Sequence, residues 1–93
     1  MFVEKRIEPR TPLTLRLSVG AGVDALTRDI SPSGLYFEFD GHCDFGGPLV
    51  FEMDLPESSM KFTAEGAIVR MEQRGGVTGV AVRLIAGRLQ STR

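Results

Sequence analysis

Apolar residues alternate with polar residues in several short segments of this chain. Residues 13–19, 35–40 and 49–55 each place Leu, Val, Phe or Met at every second position, with mostly polar residues between them. Successive side chains of a β-strand point to opposite faces, so a period of two is typical of strands with one buried face. The pattern predicts three half-buried strands.

Three more strands are predicted around these. Residues 60–71 are apolar at alternate positions, but the apolar face changes at Glu65 and Gly66, which indicates one long strand with a bulge or bend there. A Gly-rich turn then leads into residues 77–85, the last long strand. Residues 23–30 form a weaker candidate strand.

Six strands joined by Gly- and Pro-containing turns, without a helical period before Ala86, predict an all-β fold. A barrel or a sandwich fits the pattern, and closure into a barrel removes exposed edges. Residues 84–90 add at most a short C-terminal helix. Residues 1–12 lack alternation and contain two prolines, so we expect a flexible N-terminal arm before a β-barrel domain at residues 13–93.

Composition and charge narrow the function classes. The chain has 93 residues, enough for one core, and 42% of them are hydrophobic, as in ordinary globular domains. Eleven basic residues against twelve acidic ones produce no overall field that would attract nucleic acid or an anionic membrane, so any anion site is local. Apolar stretches are too short to span a bilayer, no signal peptide is evident, and the single Cys has no partner. These features favour a cytoplasmic location without membrane insertion.

Two clusters of polar residues interrupt the strand pattern. The first, in the arm, holds Arg6 and Arg10 four residues apart, and the second is a polar turn at residues 29–34 between two predicted strands. A guanidinium group donates two parallel hydrogen bonds to a phosphate or to the O6 and N7 edge of guanine. Two arginines on an arm are therefore suited to closing around an anionic purine nucleotide.

The polar turn has complementary chemistry. The carboxylate of Asp29 accepts hydrogen bonds, and the Watson–Crick edge of guanine donates them from N1 and N2, so Asp29 favours guanine over adenine. Ser31 adds a small hydroxyl group. Gly34 permits a backbone conformation or a close approach that a side chain would block.

These clusters resemble the motifs of PilZ domains. Arg6 and Arg10 fit the family's RxxxR motif, and the second cluster fits D/N-x-S-x-x-G with Asp29, Ser31 and Gly34. Residues 66–70 and 79–82 look like the family's closing strands, so the resemblance covers nearly the whole chain. It implies a six-stranded antiparallel β-barrel in which the arm arginines hold the phosphates and guanine edges of cyclic di-GMP, while the Asp and Ser grip a guanine base.

The resemblance also implies how such a protein works. It implies a bacterial second-messenger receptor without catalysis or a cofactor, in which ligand orders the N-terminal arm and alters the interaction with a protein partner of unknown identity. Lys5 precedes the first motif arginine, and in the family a basic residue there goes with binding of an intercalated ligand dimer. An alternative within the family is a protein adaptor that does not bind nucleotide.

Simpler interpretations apply to the same residues. Arg6 and Arg10 also fit solvated charges beside Glu4 and Glu8. The polar turn also fits a structural role in which Asp and Ser cap their own backbone, and such capping would preorganise a site as well. The arginines on predicted strands are expected to be mostly surface charges, one of which could add a phosphate contact: Arg16, Arg28, Arg70 and Arg83.

Other function classes have little support in the sequence. His42 and Cys43 are too few for a metal shell, and no second His is available as a base for a nucleophile. We therefore expect neither a metal nor an enzyme. Direct nucleic-acid binding predicts a basic face with exposed aromatic residues, whereas we expect five phenylalanines to lie in the core: Phe37, Phe39, Phe45, Phe51 and Phe62.

Overall fold

The computed structural model describes residues 11–20, 22–42, 45, 47–55 and 58–91. Residues that carry earlier hypotheses lie outside this part of the chain: Lys5, Arg6, Arg10 and Cys43. No helix that is long and apolar enough to cross a membrane is found among the described residues.

Seven antiparallel strands form one sheet that closes on itself. In chain order they are β1 (Thr11–Pro12), β2 (Arg16–Val19), β3 (Val23–Ser31), β4 (Gly34–Asp40), β5 (Leu49–Asp54), β6 (Met60–Arg74) and β7 (Val77–Ser91). The order around the barrel is β3-β2-β5-β6-β7-β4, and β4 pairs back with β3. β1 pairs with the end of β3 as a short additional strand. The predicted six-stranded antiparallel barrel is therefore confirmed, with one extra strand.

The strand predicted at residues 13–19 is shorter in the structure, where β2 begins at Arg16. The buried hydroxyl group of Thr27 accepts a hydrogen bond from the backbone N–H of Leu15 at 2.8 Å and donates one to the carbonyl oxygen of Leu13 at 2.6 Å. A side chain thus satisfies backbone groups that a regular ladder would pair. The segment between β1 and β2 is held to β3 by this threonine.

The β6–β7 hairpin is longer than expected. β7 runs to Ser91, which pairs with Met60, so residues 84–90 extend the strand and the short helix allowed there is not formed. The predicted irregularity between Glu65 and Gly66 is present, and a second register shift follows between residues 68 and 70. Gly75, with φ of +61°, lies in the tight turn that joins the two strands.

The barrel interior contains the apolar faces predicted from the alternation. Phe37 and Phe51 are among the largest fully buried side chains, and Phe39 is also buried. Phe45 and Phe62 pack against this core from its margin. The phenylalanines therefore fill the barrel, as expected, and the remaining buried apolar residues are Leu17, Val19, Ala25, Leu35, Leu49, Met53, Ala64, Val80 and Val82.

Replacing Thr27 with Val tests the role of its hydroxyl group. The two side chains have almost the same shape, but Val leaves the Leu15 N–H without its partner, so we expect a loss of about 1–3 kcal/mol in the free energy of unfolding. Urea denaturation measures this loss. Thr14→Val, at an exposed position of the same segment, is the control, and equal stability of the two variants would contradict the assigned role.

Candidate functional site

The polar turn predicted at residues 29–34 is the tip of the β3–β4 hairpin. β3 ends at Ser31 and β4 begins at Gly34, and these two residues pair across a two-residue turn. The buried hydroxyl group of Ser31 donates to the carbonyl oxygen of Gly34 at 3.3 Å. The backbone N–H of Leu84 donates to the carbonyl oxygen of Ser33 at 2.7 Å. The turn is thus capped from within and anchored to β7.

Gly34 is needed for a close approach of two strands. Its backbone φ is outside the positive range, but a Cβ atom at this position would overlap the carbonyl oxygen of Val82 on β7. The sequence suggested two reasons for a glycine here, a special backbone conformation or a close approach of another group. The close approach is the reason that applies.

A bulge in β3 turns the motif outward. Ala25 and Thr27 point into the barrel and are buried, but the register with β4 shifts between Thr27 and Asp29. After the shift, Ile30 packs against the core. Asp29 and Ser31 line an outer groove instead. One inserted residue thus moves the polar positions of the motif from the inner to the outer face.

The groove beside the motif has a volume of about 680 Å³ and crosses the outer surface from β3 over β4 and β7 to β6. Small residues, Gly34 and Ala81, form part of its floor. Tyr36 lies across Gly79, where a Cβ atom would overlap the tyrosine hydroxyl group. The groove exists because these strands carry small residues on their outer faces.

The far side of the groove is a charged segment of β6. Arg70 and Arg74 flank Glu72 at alternate positions, and all three line the groove. Arg70 Nε lies 3.2 Å from Glu72 Oε2, and Arg74 Nη2 lies 2.8 Å from Glu72 Oε1. Arg74 Nη2 also donates to the Tyr36 hydroxyl group at 3.5 Å. Hydrogen bonds to Glu72 and then Tyr36 raise the pKa of Arg74 above its ordinary value.

Sequence reasoning only partly anticipated this side of the groove. Arg70 and Arg83 were expected to be surface charges, one of which could add a phosphate contact, and Glu72 and Arg74 were not among the candidate residues. The spacing of these residues could have indicated the charged cluster, because residues 70, 72 and 74 of one strand share a face. Which face meets the motif depends on the bulge at residues 68–70, which the sequence did not indicate.

The arm joins the barrel next to the polar turn. Thr11 pairs with Ile30, and Pro12 pairs with Asp29. Arg10 lies outside the described residues, but it directly precedes Thr11 in the sequence. The structure therefore brings the end of the arm, Asp29, Ser31 and the turn together along one strand.

A second groove, of about 490 Å³, lies elsewhere on the barrel, and Asp29, Ser31 and Gly34 do not line it. Among the described residues its charged groups are three carboxylates and two guanidinium groups: Asp24, Glu38, Asp40, Arg16 and Arg28. The described lining of the motif groove has the opposite balance, with three guanidinium groups against two carboxylates: Arg70, Arg74, Arg83, Asp29 and Glu72. The motif groove is thus better suited to an anion. Among the described residues no group of three His, Cys, Asp or Glu side chains is arranged to hold a metal ion.

Replacing Gly34 with Ala tests the close approach. The new methyl group meets backbone rather than a movable side chain, so we expect a loss of about 1–3 kcal/mol in the free energy of unfolding, as for other overpacked sites. Gly76→Ala is the matched control because nothing lies within 4 Å of a Cβ atom there. Urea denaturation of both variants makes the comparison, and equal stabilities would contradict the assigned contact.

Comparison with known proteins agrees with this geometry. The profile of the PilZ domain family matches residues 3–91. No curated protein sequence matches the chain significantly. The matched range includes both motifs, the whole barrel and the charged segment of β6. The chain therefore belongs to the PilZ domain family.

Proposed function

We propose that this chain is a cyclic di-GMP receptor module that passes the signal on through its N-terminal arm. The observation that carries the proposal is the pairing of β1 with the end of β3, which puts Pro12 opposite Asp29. Arg10 is only two residues before Pro12 in the sequence, so the segment that carries the first motif joins the barrel beside the second motif. Membership of the PilZ family supports the same ligand.

The second motif is suited to guanine. Asp29 lines the outer groove beside the buried, hydrogen-bonded Ser31, and its carboxylate would accept hydrogen bonds from N1 and N2 of a guanine base. Adenine lacks this pair of donors, so the carboxylate supplies base specificity. Gly34 contributes by letting β4 lie close to β7, which holds the turn in place.

The first motif would supply charge. Arg6 and Arg10 can each donate two parallel hydrogen bonds to a phosphate oxygen pair or to the O6 and N7 edge of guanine. These contacts form only when the arm lies beside the groove, so ligand stabilises that arrangement over others. The arm then creates or hides a surface for a protein partner, and no catalytic step is required.

Isothermal titration with cyclic di-GMP, GTP and cyclic di-AMP tests the proposal. We expect saturable binding of cyclic di-GMP and no binding of the other two nucleotides. The Arg6→Ala, Arg10→Ala double variant should bind about a hundredfold or more weakly, because each lost pair of guanidinium hydrogen bonds contributes about 1–3 kcal/mol. The double variant Arg16→Ala, Arg88→Ala removes the same charge outside the motif groove and should bind like the wild type. Absence of binding at tens of micromolar cyclic di-GMP would reject the receptor function and favour the adaptor.

The base specificity has its own test. In Asp29→Asn the amide side chain keeps one acceptor oxygen but loses the negative charge, so we expect about tenfold weaker binding of cyclic di-GMP, the loss associated with a charge-assisted hydrogen bond. Asp24→Asn, on the same strand outside the motif groove, is the control. Unchanged affinity of Asp29→Asn would remove Asp29 from the proposed site.

We further propose that Lys5 supports binding of an intercalated ligand dimer. The wild type should then saturate at two cyclic di-GMP molecules per chain, and Lys5→Ala should saturate at one. Analytical titration at protein concentrations far above Kd measures the ratio directly. Saturation of the wild type at one ligand per chain would reject this part of the proposal while leaving the receptor function in place.

A further inference from the structure

The charged segment of β6 occupies an edge of the sheet. β5 pairs with β6 only as far as Gly66, and beyond that point β6 pairs with β7 alone among the described strands. Arg70, Glu72 and Arg74 follow on this edge with their side chains toward the groove. The arginine side chains are well exposed, 61% for Arg70 and 73% for Arg74, so a ligand in the groove can reach both.

Glu72 engages the two arginines at once. Its Oε1 accepts a hydrogen bond from Arg74 Nη2 at 2.8 Å, and its Oε2 forms an ion pair with Arg70, 3.2 Å from Nε. A phosphodiester also presents two anionic oxygens and has the same preference for guanidinium donors. The carboxylate of Glu72 therefore engages the same two guanidinium groups that a phosphate would use as donors.

We propose that Glu72 is an internal competitor for the phosphate of the ligand, and that Arg70 and Arg74 bind this phosphate once Glu72 is displaced. The inference rests on the proposed function, since the phosphate is that of cyclic di-GMP. In this arrangement the polar turn holds a guanine at one side of the groove and the β6 arginines hold a phosphate at the other. Glu72 sets the ligand concentration at which the groove fills.

The energies of the contacts make such an exchange feasible. Ion pairs between exposed side chains contribute little to stability, because solvent screens them and the long side chains lose entropy. Ligand therefore displaces Glu72 at a small cost. A carboxylate that stays in the groove also repels the phosphate, so its removal should tighten binding.

A purely structural role for these charges makes a different prediction. Charged residues on an edge strand hinder pairing with another sheet, and Arg70, Glu72 and Arg74 serve that purpose whether or not ligand binds. In that case neutralising Glu72 leaves the affinity for cyclic di-GMP unchanged.

Titration of the full chain with cyclic di-GMP compares Glu72→Gln with Glu52→Gln. Glu52 is also a partly exposed strand residue, paired with Lys61 at 3.0 Å, but it lies outside the motif groove. We expect Glu72→Gln to bind roughly three- to tenfold more tightly than the wild type, the range for loss of two exposed ion pairs, and Glu52→Gln to bind like the wild type. The Arg70→Ala, Arg74→Ala double variant should bind roughly tenfold more weakly.

The outcomes separate this inference from the function on which it rests. Normal wild-type binding with unchanged affinity in Glu72→Gln, or in the Arg70→Ala, Arg74→Ala variant, overturns the inference alone. No binding by either the wild type or Glu72→Gln overturns both the inference and the receptor function.

Discussion

The close approach of three strands around Val82 is the constraint on which the rest of the structure depends. A side chain at Gly34 on β4 would overlap the backbone of Val82, and one at Gly66 on β6 would overlap the Val82 side chain. Glycine on both neighbours lets β4 and β6 lie close to β7, which curves the sheet enough for six strands to close. The same approach holds the turn of the β3–β4 hairpin against β7 through the hydrogen bond from Leu84 to Ser33. Closure of the barrel and placement of the motif therefore have one cause.

Much of this arrangement could be predicted from the residues, and the parts that could not have a physical explanation. The alternation in β4 and β5 predicts their buried faces, because each strand has one face in the core and one in solvent. Residues 13–15 follow the same alternation but leave the regular ladder, since the hydroxyl group of Thr27 replaces part of it. A side chain that substitutes for a backbone partner leaves no periodic signal. The same is true of the bulge after Ile68, which decides where the β6 arginines lie.

The candidate site could likewise be predicted only in part from the sequence. The turn at residues 29–34 was predicted as a polar connection between strands, and its neighbouring groove depends on which strands become neighbours in the closed sheet. Arg70 follows Asp29 by 41 residues in the sequence, so only the tertiary fold brings both residues to one groove. The positions of Lys5, Arg6 and Arg10 stay predictions, because these residues lie outside the described part of the chain.

The described pairing of β1 with β3 would suit the proposed signalling arm. Among the described residues this pairing consists of Thr11 with Ile30 and Pro12 with Asp29, and both β1 residues are exposed. Solvent-exposed pairings of this kind open at little cost in free energy. Beyond it the chain is held more firmly, because Thr27 is fully buried and bonds to both Leu13 and Leu15. The boundary between the weak and the firm attachment falls next to Asp29. If the proposed ligand is held by Asp29 and by the motif arginines, it would act on this exposed pairing and leave the core unchanged, as a receptor that reorients an arm without unfolding requires.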